Sequence, residues 1–184
     1  MLTEEPKVQI VEYLFNALFD KSEKTILVSG ADEPLYLPSS SENEYNQIFS
    51  TSDYFSSALH EISHWCVAGA TRRKLIDYGY WYEPDGRDVG QQAEFEKVEV
   101  KPQALERIMS CAAGMSFRLS ADNASDPSCR PSQWFVDAVQ RQTEMYVKDG
   151  LPLRAGRYIQ ALDARFTGSR SYAKLCSYVA SDLL

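Results

Sequence analysis

The stretch Asp53-Tyr54-Phe55-Ser56-Ser57-Ala58-Leu59-His60-Glu61-Ile62-Ser63-His64-Trp65-Cys66 decides how this chain of 184 residues is read. Phe55, Leu59, Ile62, His64 and Cys66 recur at helical spacing, and Asp53 supplies the kind of side-chain acceptor that opens a helix. The spacing predicts a helix over 53–76. Its last turns carry Arg72, Arg73 and Lys74, where cations meet the negative helix end. The same stretch holds both histidines of the chain, four residues apart, with Glu61 directly after the first.

Toward the N-terminus the period changes. Residues 4–20 carry Val8, Val11, Leu14, Phe15, Leu18 and Phe19 along one face of an amphipathic helix. Thr25-Ile26-Leu27-Val28 is a β-branched run ended by Gly30 and reads as a strand. Leu35-Tyr36-Leu37 lies between Pro34 and Pro38, which confines it to an edge or connecting strand, and Gln47–Ser50 is a third short strand.

Toward the C-terminus, Tyr78 to Asp88 is aromatic and turn-rich, with turn chemistry at Pro84-Asp85-Gly86. Residues 89–99 read as a short helix. Pro102 pushes Lys101 toward extended geometry and opens a new helix through Ala113. Residues 120–131 form a loop, and Pro131 opens a helix that Gly150 and Pro152 close. Residues 153–167 and 172–182 read as final helices. The expected fold is α+β: one mostly helical domain over 1–184 with a small N-terminal sheet.

Composition narrows the function. Nineteen Lys and Arg against 26 Asp and Glu leave a net charge of −7, so a nucleic-acid or anionic-membrane binder is not expected. No apolar run approaches the roughly 20 residues of a membrane span. Glu4, Glu5 and Lys7 precede any apolar stretch, unlike a secretory signal. Cys66, Cys111, Cys129 and Cys176 lie far apart and read as reduced thiols. A cytoplasmic protein is the expectation.

His60-Glu61-Ile62-Ser63-His64 is an H-E-x-x-H pattern on a predicted helix. Spacing of four puts both imidazoles on one face, one turn apart, where they can share a metal ion. With no third histidine, the next ligand is a carboxylate, thiolate or water. Cys66, two residues past His64, points off that face. Among the downstream acids Glu83, Asp85, Asp88, Glu94, Glu96, Glu99 and Glu106, the pair Glu96 and Glu99 stands out as three apart on one helix face, and spacing leaves both open. Two histidines and a carboxylate admit two chemistries. Zinc makes a peptidase or other hydrolase with Glu61 as general base, and Fe(II) makes a facial triad for oxygen chemistry. A structural metal in a non-catalytic binding protein is a third reading, disfavoured because such sites have four protein ligands. The His-x-Asp pattern usual in 2-oxoglutarate oxygenases is absent, since Ile62 and Cys66 stand where the acid would be.

Five stretches together resemble the bacterial elongation factor P hydroxylases: Asp32-Glu33-Pro34-Leu35-Tyr36-Leu37-Pro38, His60 to Cys66, Gly79-Tyr80-Trp81-Tyr82, Pro84-Asp85-Gly86-Arg87-Asp88, and Val98-Glu99-Val100-Lys101-Pro102-Gln103-Ala104-Leu105. The likeness is strong over residues 32–105 and weaker to about 165. It implies a fold related to zincin metalloproteases and a non-haem metal, iron first and zinc second. Its implied metal ligands are His60, His64 and Glu99. The implied reaction hydroxylates a lysine of elongation factor P that already carries a β-lysyl group. Glu61 is then expected to relay protons or order the open coordination positions. Tyr80 or Trp81 is expected to cover the aliphatic arm of the substrate. Asp85 and Asp88 are expected to hold its ammonium, or else merely to make the turn and cap the next helix.

Overall fold

The computed structural model describes residues 8–52, 54–79, 86–121 and 130–168. In chain order its elements are helix α1 (Val8–Phe19), strands β1 (Thr25–Ala31), β2 (Leu35–Leu37) and β3 (Asn46–Thr51), and helices α2 (Phe55–Val67), α3 (Val89–Ala112), α4 (Gln133–Asp149) and α5 (Leu153–Leu162). The described residues thus form the expected mostly helical α+β fold. None of their helices is long and apolar enough to cross a membrane.

The apolar stripe of α1 is the one its spacing predicts: Val8, Val11, Phe15 and Phe19 are buried. Phe15 and Phe19 each meet the Trp65 ring edge-on, at 5.1 and 4.9 Å between centroids, which joins α1 to α2. The sheet order is β1-β3-β2, so β3 is central, parallel to β1 and antiparallel to β2. Leu27, Ile48 and Tyr36 align across the three strands and are all buried. The outer edge of β1 is covered by α1. Asn16 receives the Leu27 N–H at 2.7 Å and donates to the Leu27 carbonyl at 3.1 Å, so both backbone groups of Leu27 on that edge are paired. Gly30 does not end the strand. It carries a register shift between Ser29 and Ala31 at φ +91°, a backbone state that glycine adopts without penalty.

Helix α2 is shorter than the predicted 53–76 helix. Tyr54 occupies the N-cap position, and Asp53 lies outside the described residues. The helix stops at Val67, and Arg72, Arg73 and Lys74 sit beyond it in a separate 3₁₀ turn. The reason is tertiary. Arg154, at the start of α5, donates to the carbonyls of Trp65, Cys66 and Ala68 at 2.8, 3.3 and 2.7 Å. Those carbonyls would otherwise await the N–H groups of a further turn.

Helix α3 corrects the second boundary. Pro102 does not start a helix but lies inside one of 24 residues. Proline removes one ladder bond, here to the carbonyl of Val98, a partly exposed residue. Residues on both sides of the proline are buried against neighbouring helices, Phe95 and Glu99 before it and Leu105 and Ile108 after it. Packing of that kind outweighs a local preference. Helix α4 starts at Gln133 behind the N-cap Ser132, and Gly150 caps its end. Helix α5 gives way to a π-turn at Asp163–Thr167, and the helix predicted over 172–182 lies outside the described residues. The main core joins α1, the sheet, α2, α3 and α5. A smaller cluster of Ala104, Phe117, Leu119, Phe135 and Val139 sits between α3 and α4.

Candidate metal centre

One face of α2 is spent on the core through Ala58, Leu59, Ile62, Trp65 and Cys66. His60 and His64 stand half-buried on the flank that meets α3. From α3 comes Glu99, only 1% exposed. One ligating atom from each of the three lies within 4.8 Å of the others. His60 Nε2 is 3.1 Å from His64 Nε2 and 3.5 Å from Glu99 Oε2, and His64 Nε2 is 3.2 Å from Glu99 Oε1.

Hydrogen bonding decides which atoms are free for a ligand. His60 Nδ1 lies 2.8 Å from Glu106 Oε2, so the ring donates there and its Nε2 is left with a lone pair in the neutral form. Glu99 Oε1 is fully buried and accepts no hydrogen bond, despite the nearby His64. An orphaned carboxylate oxygen beside an imidazole nitrogen costs energy unless a cation completes it. Donors that bind an ion at about 2.0–2.2 Å lie roughly 3–3.5 Å from one another, which is the spacing found here. The residues therefore fit a divalent metal of the nitrogen- and oxygen-binding kind.

The electrostatics agree. Burial alone raises the Glu99 carboxyl, but the charges of His64 and His60 and the contacts to His64 and Gln103 outweigh it and bring it down to about 2. Burial alone lowers the His60 imidazolium, yet the hydrogen bond to Glu106 and the charges of Glu99, Glu106 and Glu61 leave it well above its ordinary value. Glu61 is raised, first by burial and then by Glu99 and Asp77, with His60 and His64 opposing. Glu61 stands outside the three-atom group, beside it on α2.

The two acids that spacing left open have different surroundings. Glu99 meets the histidines. Glu96 accepts the Ser132 N–H at 2.9 Å and the Ser132 hydroxyl at 2.5 Å, and so ties the start of α4 to α3. Cys66 faces the core, where burial pushes its thiol up to about 12. Asp88 is exposed and caps α3 by accepting the Gln91 N–H at 2.9 Å, in a reciprocal capping box. Tyr80, Trp81 and Asp85 lie outside the described residues. Tyr78, just before them, is buried, stacks on Tyr36 at 4.3 Å and lies parallel to the His64 ring at 6.4 Å.

Residues 14–175 match the family described as elongation factor P hydroxylase. The chain belongs to that family. A relative from Haemophilus influenzae named elongation factor P lysine hydroxylase is 49% identical over 164 residues, which cover 89% of this chain and 91% of the relative. Two residues of this hydroxylase-family centre escaped the sequence reading. Glu106 was one acid among several, and Gln103 was not singled out. Their signal was the spacing 99, 103, 106, which follows one helix face. Reading Pro102 as a helix start cut that face in two.

Proposed function

We propose that this protein hydroxylates a lysine of elongation factor P, one that already carries a β-lysyl group, with Fe(II) in preference to Zn(II) at His60, His64 and Glu99. The observation that carries the reading is membership of the hydroxylase family over residues 14–175. The grouping of two imidazole nitrogens and a carboxylate oxygen supports it from the chemistry of the donors. Held by His60, His64 and Glu99, such a metal would activate an external oxidant for insertion of one oxygen atom into a C–H bond, chemistry beyond the reach of these side chains alone.

The chain's own residues supply position, charge and protons. Glu99 brings one negative charge into a buried place. Glu106 orients His60 and makes it a better donor. Glu61, raised above an ordinary carboxyl, holds or passes a proton next to the reacting lysine arm. Tyr80 or Trp81 covers the aliphatic stem of that arm, and Asp85 and Asp88 face its ammonium. Asp88 has one carboxylate oxygen on its cap bond and is open to solvent, so both roles are compatible in it. The partner is elongation factor P, met in the cytoplasm. A zinc peptidase or hydrolase uses the same H-E-x-x-H residues, and the family membership argues against it.

The test is the intact mass of elongation factor P from cells with and without this protein, and after restoring it as His64→Ala. The proposal expects a gain of one oxygen atom with the parent protein alone. An unchanged mass with the parent, or the same gain with His64→Ala, overturns it.

A further inference from the structure

Gln103 is 1% exposed and lies one helical turn past Glu99 on α3. Its amide is held in one orientation by the backbone of a single residue. Gln103 Oε1 accepts the Ser120 N–H at 3.1 Å, and Gln103 Nε2 donates to the Ser120 carbonyl at 3.0 Å. Turning the amide over would set donor against donor and acceptor against acceptor. The second Nε2 hydrogen is then directed at Glu99 Oε2, 3.4 Å away. Glu99 thus has one oxygen occupied by an amide donor and the other, Oε1, buried with no hydrogen bond.

We infer that Gln103 is a positioning residue for Glu99: by holding Oε2, the oxygen 3.5 Å from His60 Nε2, it fixes the carboxylate so that the unbonded Oε1 stands 3.2 Å from His64 Nε2. The inference rests on the reading of Glu99 as a metal ligand. Without the amide, a buried carboxylate beside a cation is free to turn and present its oxygens differently. The clamp draws its stiffness from the segment it grips. Ala121, next to Ser120, has its carbonyl held by Gln92 Nε2 at 3.0 Å and Arg87 at 3.3 Å. Gln92 therefore secures the same segment without touching Glu99, and it separates a structural role from a positioning one.

The experiment compares the parent, Gln103→Met, Gln92→Met and Glu99→Gln as metal-free proteins titrated with Zn(II) against a chromophoric chelator. The visible spectra of their Co(II) forms and their thermal midpoints accompany it. Gln103→Met should lose about tenfold in Zn(II) affinity, the lower end for residues that orient a ligand, and should change the Co(II) spectrum. Gln92→Met should lower the thermal midpoint and leave affinity and spectrum at parent values. A folded Gln103→Met with parental affinity and spectrum overturns the inference while leaving Glu99 as ligand. Glu99→Gln with parental affinity overturns the ligand reading and this inference with it. A measurement on the parent needs no variant: the Gln103 side-chain NH₂ resonances should shift when Zn(II) binds. If saturating Zn(II) leaves them in place, the amide does not sense the centre and the inference fails.

Discussion

Replacing Glu106 by Gln removes one charge and almost no volume, at a residue that touches the centre only through His60. The contact is 2.8 Å long, and the two side chains are 27% and 10% exposed, so solvent screens it weakly. Hydrogen bonds to charged groups contribute about 1.5–3 kcal/mol and neutral ones about 0.5–1.5. A glutamine oxygen still accepts from Nδ1, so the loss is the difference, about 1–1.5 kcal/mol, or roughly tenfold in metal affinity. Ala at the same position also leaves Nδ1–H unpaired, and the expected loss approaches a hundredfold. The pH profile carries a sign that a general loss of stability would not mimic. In the metal-free protein the raised His60 keeps its proton to higher pH than an ordinary imidazole, and a metal must displace it. Apparent affinity therefore falls as pH drops through that raised value. Glu106→Gln lowers the value, so proton competition begins at lower pH. The deficit should be largest on the alkaline side and shrink on acidification. Zn(II) titrations against a chelator from about pH 5.5 to about pH 8.5 follow this on both sides of an ordinary histidine. A deficit of the same size at every pH, or none, would refute action through His60 Nδ1.

Three further outcomes are expected. Glu99→Gln should abolish stoichiometric metal by elemental analysis, whereas Glu96→Gln should retain it and lose about 1–2 kcal/mol in urea unfolding, because Glu96 holds Ser132 at the start of α4. Glu61→Gln should keep its metal yet lose most hydroxylation of modified elongation factor P by mass; full turnover would reduce Glu61 to a bystander. Burial pushes the Cys66 thiol up to about 12, so the folded protein keeps that proton while an unfolded chain releases it near pH 8.5. Its contribution to stability is complete below about 8.5 and is lost as pH rises toward 12, visible as a steeper alkaline fall of the urea midpoint in the parent than in Cys66→Ala. Rapid alkylation of Cys66 in the native state at mild alkaline pH would contradict this.

Local pattern was enough where neighbours in sequence are also neighbours in space. The 3.6-residue stripe of α1 and the β-branched run of β1 satisfy their own geometry, and both were legible. So was the placing of His60 and His64, because a spacing of four fixes a shared face whatever packs on it. Legibility ended where a distant residue intervenes. The stop of α2 at Val67 depends on Arg154, 89 residues from the Trp65 carbonyl it holds. Nothing near Arg72 to Lys74 announces it, and three cations suit a helix end as well as a 3₁₀ turn. The central place of β3 was equally hidden, since strand order follows from which edges are free. Here α1 covers β1, and Asp77 takes the Tyr36 N–H of β2 at 2.8 Å.

Pro102 was the costliest misreading, because the centre depends on α3 running through it. His60 reaches Glu106 and His64 reaches Glu99, so the later histidine on α2 pairs with the earlier acid on α3, and the two helices pass in opposite directions. A helix rises about 1.5 Å per residue and repeats its face every three to four. An unbroken α3 therefore sets Glu96, Glu99, Gln103 and Glu106 along one side at successive turns, each with a separate task. Glu96 fastens α4, Glu99 faces the imidazoles, Gln103 grips Glu99, and Glu106 turns His60. A break at Lys101 would rotate the last two away from the first two and leave His60 Nδ1 and Glu99 Oε2 without these partners. The buried residues on both sides of Pro102 oppose that break, so the packing that tolerates a proline in mid-helix also aligns the centre.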